Sequence, residues 1–225
     1  VTTNAFTGAL TITTNDSSGT DADVTIDGGT TALIIAASTI DGDLTLTSGN
    51  ASGITDSGTV TVGGNFSATT DAGNGVINVG TMAVDGTVAL TTNGNGAATI
   101  VNDAALTFAA STVGGALTAT ATTGNITDSG ALAITGTTTL VTSADNGTIV
   151  LDVATNAFTG ALTITTNDSS GTDADVTIDG GTTALIIAAS TIDGDLTLTS
   201  GNASGITDSG TVTVGGNFSA TTDAG

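Results

Sequence analysis

The feature that most constrains this chain is a long internal repeat. Residues 1–73 recur as residues 153–225 with one difference, Thr2 against Ala154. The two copies begin 152 residues apart, so we interpret residues 1–152 as a first superrepeat and the remainder as a partial second copy. Repetition at a fixed period is typical of solenoids and arrays, in which each segment contacts only its neighbours.

A shorter period appears in the glycines that precede alternating apolar and threonine residues. Residues 6–14 and 158–166, both FTGALTITT, show the pattern clearly. Alternation predicts a β-strand with one buried face, and the glycine predicts a tight corner at its entry. The spacings are 34, 22, 22, 29, 21, 24, 34 and 22 residues between Gly8, Gly42, Gly64, Gly86, Gly115, Gly136, Gly160, Gly194 and Gly216.

The spacings near 22 residues each contain three short straight segments joined by turns. The segment after Gly42 matches the segment after Gly115, and both include the sequence ITDSG. Three segments per repeat predict one coil of a parallel β-helix, with about three short strands in coils of about 21–34 residues. We interpret the longer spacings as loops inserted at one corner, at residues 15–20 and 101–105. The superrepeat would then hold six coils, and the whole chain, residues 1–225, would be one continuous β-solenoid segment of a longer protein.

Positions relative to each corner glycine predict which side chains face inward. Thr138 is the one polar residue in the inward set, which suggests a local misalignment of one residue. Inward positions, two and four residues after the glycine, are Leu10, Leu44, Phe66, Val88, Leu117, Thr138, Leu162, Ile12, Leu46, Ala68, Leu90, Ala119, Leu140 and Ile164. Outward positions three and five residues after the glycine carry mostly Thr, which predicts ladders of hydroxyl groups.

The composition excludes several classes of partner. The chain has no Lys or Arg and a formal net charge of −21, so it cannot neutralise phosphates or bind anionic lipid head groups. We therefore expect no nucleic acid partner and no membrane insertion, since the longest apolar run is too short to cross a bilayer. The absence of Cys excludes disulfides and thiolate metal sites.

The recurring phrases resemble the repeats of a known family of bacterial exoproteins. Residues 105–140, ALTFAASTVGGALTATATTGNITDSGALAITGTTTL, and residues 156–166, NAFTGALTITT, are similar to repeats of large secreted proteins of the filamentous haemagglutinin type. The resemblance implies a right-handed parallel β-helix, export across the outer membrane of a Gram-negative bacterium, and a place in a cell-surface or extracellular fibre.

Aspartate is the only side chain in this sequence that titrates anywhere near neutral pH. Asp21, Asp23 and Asp27 form a cluster that recurs unchanged 152 residues later. A catalytic role would require a duplicated active site, so we expect no enzymatic activity. The same oxygen-rich spacing suits calcium, but solvated carboxylates in turns are the favoured explanation and no EF-hand spacing is present. Asp41 and Asp43 could add ligands. The candidate calcium ligands are Asp21, Asp23, Asp27, Asp173, Asp175 and Asp179.

The sequence thus predicts a structural role for a secreted, cell-surface segment that associates with itself along the axis of a fibre. The alternative is an adhesin module that recognises carbohydrate, glycans on other cells or another surface through a face lined by Thr, Asn and Asp. Outward Thr ladders also occur in ice-binding β-helices, but Thr is in addition a favourable polar residue for any solvent-facing strand.

Overall fold

A computed structural model describes residues 4–17, 22–167, 169 and 174–223 of the chain. These residues form β-strands joined by turns and contain no helix, which confirms the predicted all-β class. It follows that the described part of the chain has no apolar helix that could cross a membrane.

The strands are short, and most have three to five residues. They are β1 (Val24–Asp27), β2 (Leu33–Ile35), β3 (Ser38–Ile40), β4 (Leu44–Ser48), β5 (Ile54–Asp56), β6 (Val60–Val62), β7 (Phe66–Thr70), β8 (Ile77–Val84), β9 (Thr87–Thr91), β10 (Ala98–Asn102), β11 (Leu106–Phe108), β12 (Ser111–Val113), β13 (Leu117–Ala121), β14 (Ile126–Asp128), β15 (Leu132–Ile134), β16 (Thr138–Asp145), β17 (Ile149–Leu151), β18 (Ala157–Phe158), β19 (Leu162–Asn167), β20 (Val176–Asp179), β21 (Leu185–Ile187), β22 (Ser190–Ile192), β23 (Leu196–Ser200), β24 (Ile206–Asp208), β25 (Val212–Val214) and β26 (Phe218–Thr222).

The strands stack as a parallel β-helix of about nine turns, as the sequence predicts. Sheet 1 follows the order β1-β4-β7-β9-β11-β14-β17-β20-β23-β26, and sheet 2 follows β2-β5-β8-β10-β13-β16-β19-β21-β24. A typical coil contributes one longer strand to one sheet and two short strands to the other. The predicted three strands per coil are therefore present. The turn between the two short strands joins strands of the same sheet.

The glycine-anchored strands lie in both sheets, which corrects the interpretation of the long spacings. The strands after Gly42 and Gly64 belong to sheet 1, whereas the strand after Gly115 belongs to sheet 2. A spacing of 29 or 34 residues is therefore one and a half coils. The predicted loop at residues 101–105 is wrong, because Val101 lies in β10 and pairs with Thr120. Of the other predicted loop, residues 18–20 lie outside the described residues.

The fold repeats after three and a half coils. We define unit 1 as β1–β9, unit 2 as β10–β19 and unit 3 as β20–β26. The first strands of units 1 and 3 lie in sheet 1, and that of unit 2 lies in sheet 2, because each complete unit passes between the sheets an odd number of times. Seven successive pairings lead from β1 to its superrepeat equivalent β20, so the superrepeat has seven coils and not the six expected.

In-register stacking places the predicted inward residues in one continuous core. Leu44 lies over Phe66 and Phe66 over Val88, and each of these side chains is at most 1% exposed. The prediction of inward-facing side chains is thus correct for every coil that has a described coil on both sides. Leu10 and Ile12, in the first described coil, are only partly buried.

A third inward position, six residues after the corner glycine, was not predicted. It carries a buried Ser or Thr in most coils, and its hydroxyl donates to a carbonyl of the turn that follows or of the preceding coil. Thr70 Oγ1 donates to the Gly75 carbonyl at 2.9 Å, and Ser48 Oγ donates to the Thr31 carbonyl at 2.9 Å. These hydroxyls satisfy backbone acceptors where the chain turns away from the sheet.

The corner glycines are required by the close approach of successive coils. Gly64 donates its N–H to the Gly42 carbonyl at 3.0 Å, and Gly86 donates to the Gly64 carbonyl at 3.0 Å. A Cβ atom at Gly86 would lie 2.5 Å from that carbonyl oxygen. A side chain there would push the coils apart, which explains why glycine precedes β4, β7 and β9.

Thr138 faces the core without any misalignment. It lies in register between Leu117 and Leu162, and it is 0% exposed. Its Oγ1 has no hydrogen-bond partner among the described residues. A buried hydroxyl without a partner costs about 1–3 kcal/mol of stability.

Replacing Thr138 by Val should therefore raise the free energy of unfolding by about 1 kcal/mol or more, since the shape is kept and the orphan hydroxyl is removed. Chemical denaturation of the wild type and of Thr138→Val measures this difference. Thr139→Val, at the neighbouring outward position, is the matched control and should change stability by less than about 0.5 kcal/mol. A loss of stability in Thr138→Val would contradict this account.

Candidate functional site

Several predicted Asp positions lie at one corner of the β-helix, where each side chain reaches the next coil. Asp23 Oδ1 accepts a hydrogen bond from the backbone N–H of Asp43 at 2.8 Å. Asp43 Oδ1 accepts from the backbone N–H of Asn65 at 2.6 Å, and Asn65 Oδ1 accepts from that of Thr87 at 2.9 Å. We name Asp23, Asp43, Asn65 and Thr87 the corner ladder. Its side chains satisfy backbone donors that the turn leaves outside the sheet.

The corner ladder recurs in the second copy of the superrepeat. Asp175 Oδ1 accepts from the backbone N–H of Asp195 at 2.7 Å, and Asp195 Oδ1 accepts from that of Asn217 at 2.5 Å. The two Asp positions therefore have equivalent backbone partners in both copies of the superrepeat. These carboxylates stabilise the contact between coils.

Asp27 and Asp179 have a different local role. Asp27 Oδ1 accepts from the backbone N–H of Gly29 at 2.8 Å, and Asp179 Oδ1 accepts from that of Gly181 at 2.7 Å. A side-chain bond to the backbone two residues later is an Asx turn. Gly29 and Gly181 have φ angles of 57° and 55°, the left-handed conformation that this turn uses.

The structure does not gather the described calcium candidates into one place. Asp23 precedes β1 and Asp27 ends it, so they lie about 13 Å apart along the strand. Asp21 and Asp173 lie outside the described residues. Within the described ranges, no three acidic residues are placed so that they could hold one metal ion. Calcium binding at these positions stays a prediction.

The repeated ITDSG sequence has a role that the sequence analysis missed. Asp56, its Asp in unit 1, accepts from the backbone N–H of Gly80 at 3.0 Å and from the N–H and hydroxyl of Thr81 at 2.6 and 2.7 Å. All three donors belong to β8 of the next coil, at the point where that strand bulges between its pairings with β5 and β6. The motif indicated a repeat, but its carboxylate is a clasp between coils.

The equivalent Asp128 forms the same kind of clasp on the opposite sheet. Its Oδ1 accepts from the backbone N–H of Asp152 at 3.1 Å, and its Oδ2 accepts from Asn156 Nδ2 at 2.6 Å. Asn156 is itself buried, and its Oδ1 accepts from the backbone N–H of Leu132 at 2.8 Å. Burial raises the pKa of Asp128 above its usual 3.8, and the hydrogen bond from Asn156 opposes that rise.

Asp145 has the opposite electrostatic environment. The backbone N–H and the hydroxyl of Ser169 both donate to its Oδ1, at 2.8 and 2.7 Å. These hydrogen bonds stabilise the charged form and lower the pKa of Asp145 below 3.8.

The outward faces of the longer strands form flat patches without charge. On sheet 2 the patch follows the pairing of β10, β13, β16 and β19 and consists of Thr99, Val101, Thr118, Thr120, Thr139, Val141, Thr163 and Thr165. Unit 1 presents a similar patch on sheet 1, through β4, β7 and β9. Because the units alternate between sheets, such patches alternate between the two sides of the molecule.

A family model described as repeats of unknown function (DUF5649) matches residues 21–78, 95–165 and 173–225. The three matches begin 74 and 78 residues apart, so they correspond to units 1, 2 and 3 of the fold. Searches of curated proteins and of solved structures found no match to the chain.

Asp128 and Asp145, whose pKa values are shifted in opposite directions, should make the free energy of unfolding depend on pH in opposite ways. Asp128 has a raised folded pKa, so its contribution is full below 3.8 and is lost as the pH rises through the folded value. Asp145 has a lowered folded pKa, so its contribution is present above 3.8 and is lost as the pH falls through the folded value.

As the pH rises, wild-type stability should therefore fall relative to Asp128→Asn and rise relative to Asp145→Asn. Denaturation curves of the three proteins, recorded at intervals between about pH 2.5 and 7, measure both differences. Each variant is the control for the other, because both remove one carboxylate. Slopes of the same sign would contradict the assignment.

Proposed function

The chain belongs to the family of DUF5649 repeats, and we propose that it is a structural segment of an extracellular or cell-surface bacterial fibre or stalk built from stacked β-helix coils. The observation that carries the proposal is the use of the carboxylates. Four carboxylates each accept a hydrogen bond from the following coil: Asp23, Asp43, Asp56 and Asp128. The side chains best suited to catalysis or metal binding are therefore used to hold coils together.

The core and the stacking of the described coils support the same role. One apolar core extends from Leu33 to Leu198, and each described coil pairs with the next through parallel strands. Growth by whole units lengthens such a molecule without changing its cross-section, and stability is the sum of contacts between neighbouring coils. A rigid spacer of any required length results from copying the gene segment.

A family resemblance in the repeat phrases supports the location. The repeats resemble those of filamentous haemagglutinin-type proteins, which are exported to the surface of Gram-negative bacteria, and the proposed location follows from that resemblance. A chain with no Lys or Arg offers no cleavage site for trypsin-like proteases, which suits an exposed position.

A second candidate function is adhesion, and the uncharged Thr patches favour it. Eight contiguous outward residues of unit 2 on sheet 2 carry only hydroxyl and methyl groups. Such a surface could contact carbohydrate or another surface. The patch has no aromatic residue to stack on a sugar ring, so we rank this function below the structural one.

The structural proposal predicts how length depends on copy number. Tandem proteins with one, two and three complete 152-residue superrepeats should lengthen by about 34 Å per added copy, because seven coils advance about 4.8 Å each. Small-angle X-ray scattering gives the length and, separately, the cross-section, which should stay constant. A cross-section that grows with copy number would indicate globular folding and contradict the rod.

The proposed location predicts that antibodies against residues 98–167 bind intact bacteria that make the full protein. Immunogold labelling should be equal on intact and on permeabilised cells. An antibody against a cytoplasmic protein is the control and should label only permeabilised cells. If the repeat antibody behaves like this control, the cell-surface role is wrong.

A further inference from the structure

The chain contains four Asn-Gly sequences, in which the asparagine side chain can react with the backbone of the following residue. They are Asn74-Gly75, Asn93-Gly94, Asn95-Gly96 and Asn146-Gly147. Gly has no Cβ atom to shield its nitrogen, so its amide can approach a preceding side chain closely. All four sequences lie in turns where the chain leaves one sheet for the other.

The reaction forms one bond and breaks another. The Gly nitrogen gives up its proton to water and bonds to Cγ of the Asn, and the side-chain nitrogen takes up a proton and leaves as ammonia. Water then opens the cyclic imide to give aspartate or isoaspartate, in which the backbone runs through the side-chain methylene. The Gly N–H must therefore be accessible to water and free of hydrogen bonds before the reaction can begin.

Three of the four turns hold the Gly peptide unit on both sides. In each of them the Gly is buried, its N–H donates to the carbonyl three residues earlier, and its carbonyl accepts from a buried Thr hydroxyl. The N–H bonds join Gly75 to Ala72 at 3.0 Å, Gly96 to Asn93 at 3.2 Å and Gly147 to Ala144 at 3.2 Å. The hydroxyl donors are Thr70, Thr92 and Thr142, at 2.9, 2.7 and 2.9 Å.

The Asn93-Gly94 sequence is held differently. Asn93 begins the turn that ends at Gly96, so Gly94 occupies the second place, where the hydrogen bond that closes a β-turn does not involve the N–H. Among the residues that the structure describes, none accepts a hydrogen bond from the Gly94 N–H. Asn93 and Gly94 are both exposed, so water reaches the reacting atoms.

We propose that Asn93 is a site of spontaneous modification, which the folded chain converts to aspartate or isoaspartate while Asn74, Asn95 and Asn146 remain amides. The co-reactant is water, and ammonia is released. This inference goes beyond the proposed fibre function and does not depend on it, because the order of reactivity follows from the turns alone.

Asn93 lies at a contact between coils, so its modification changes the stacking. Its Nδ2 donates to the Asp71 carbonyl of the preceding coil at 3.0 Å, and its own carbonyl accepts from the Asn74 N–H at 3.0 Å. A carboxylate cannot donate to the Asp71 carbonyl, and it adds a negative charge to a chain that already carries −21. Isoaspartate also lengthens the backbone next to Gly94, whose carbonyl approaches Gly114 of the next coil too closely for even a Cβ atom.

Incubation of the folded 225-residue chain in mildly alkaline buffer tests the proposal. Pepsin digestion in acid, followed by tandem mass spectrometry, detects the mass increase at each Asn when its amide becomes an acid. Asn93 should react at least about 10-fold faster than Asn74, Asn95 or Asn146, because the other three turns must first open. The same chain unfolded in guanidinium chloride is the control, and there all four sites should react at similar rates.

Two variants of the same turn form a matched pair. Asn93→Gln should remove the fast reaction, because the longer side chain forms its cyclic imide much more slowly, and Asn95→Gln should leave it unchanged. Circular dichroism should show the same β signal for both variants and the wild type. Equal rates at the four sites of the folded chain, or a fast reaction that persists in Asn93→Gln, would overturn the assignment.

Discussion

In-register parallel stacking of backbone hydrogen bonds is the constraint on which this structure depends. Neighbouring coils are about 4.8 Å apart, so outside the bulges of β8 and β16 each strand side chain lies directly over its equivalent in the previous coil. An inward position must therefore be apolar or satisfied in each coil, and a corner must allow close contact in each coil. The column of Gly42, Gly64 and Gly86 and the column of Leu44, Phe66 and Val88 are two results of this single condition.

The same condition explains why the unit can change sides. A coil consists of two halves that lie on opposite sheets, and a sequence unit with an odd number of halves begins its next copy on the other sheet. Backbone pairing does not distinguish the sheets, so ITDSG forms a clasp at Asp56 on sheet 2 and at Asp128 on sheet 1. Two units restore the starting side, so the nearly identical copies 152 residues apart lie on the same sheets.

The sequence was sufficient for the features that depend on local pattern. Alternation identified the inward residues, and glycine identified the corners, because both are set within a few residues of the chain. It was insufficient for contacts between coils. The clasp of Asp56 on Thr81 joins residues 25 positions apart, and the buried hydroxyl of Thr138 became evident only once its neighbours in adjacent coils were known. The six-coil count failed for a related reason, since a glycine corner has the same sequence on either sheet.

The position of charge along the strands follows from stacking as well. Every described Asp within a strand is the last residue of that strand: Asp27, Asp56, Asp128, Asp145, Asp179 and Asp208. A carboxylate in mid-strand would lie about 4.8 Å from its equivalent in the next coil, and like charges opposite one another destabilise a sheet. Carboxylates at the ends of strands lie at the corners, where they accept hydrogen bonds from backbone N–H groups of the turn or of the next coil. The columns of stacked side chains inside the described coils are thereby kept free of like charges in contact, and the apolar core stays continuous from coil to coil.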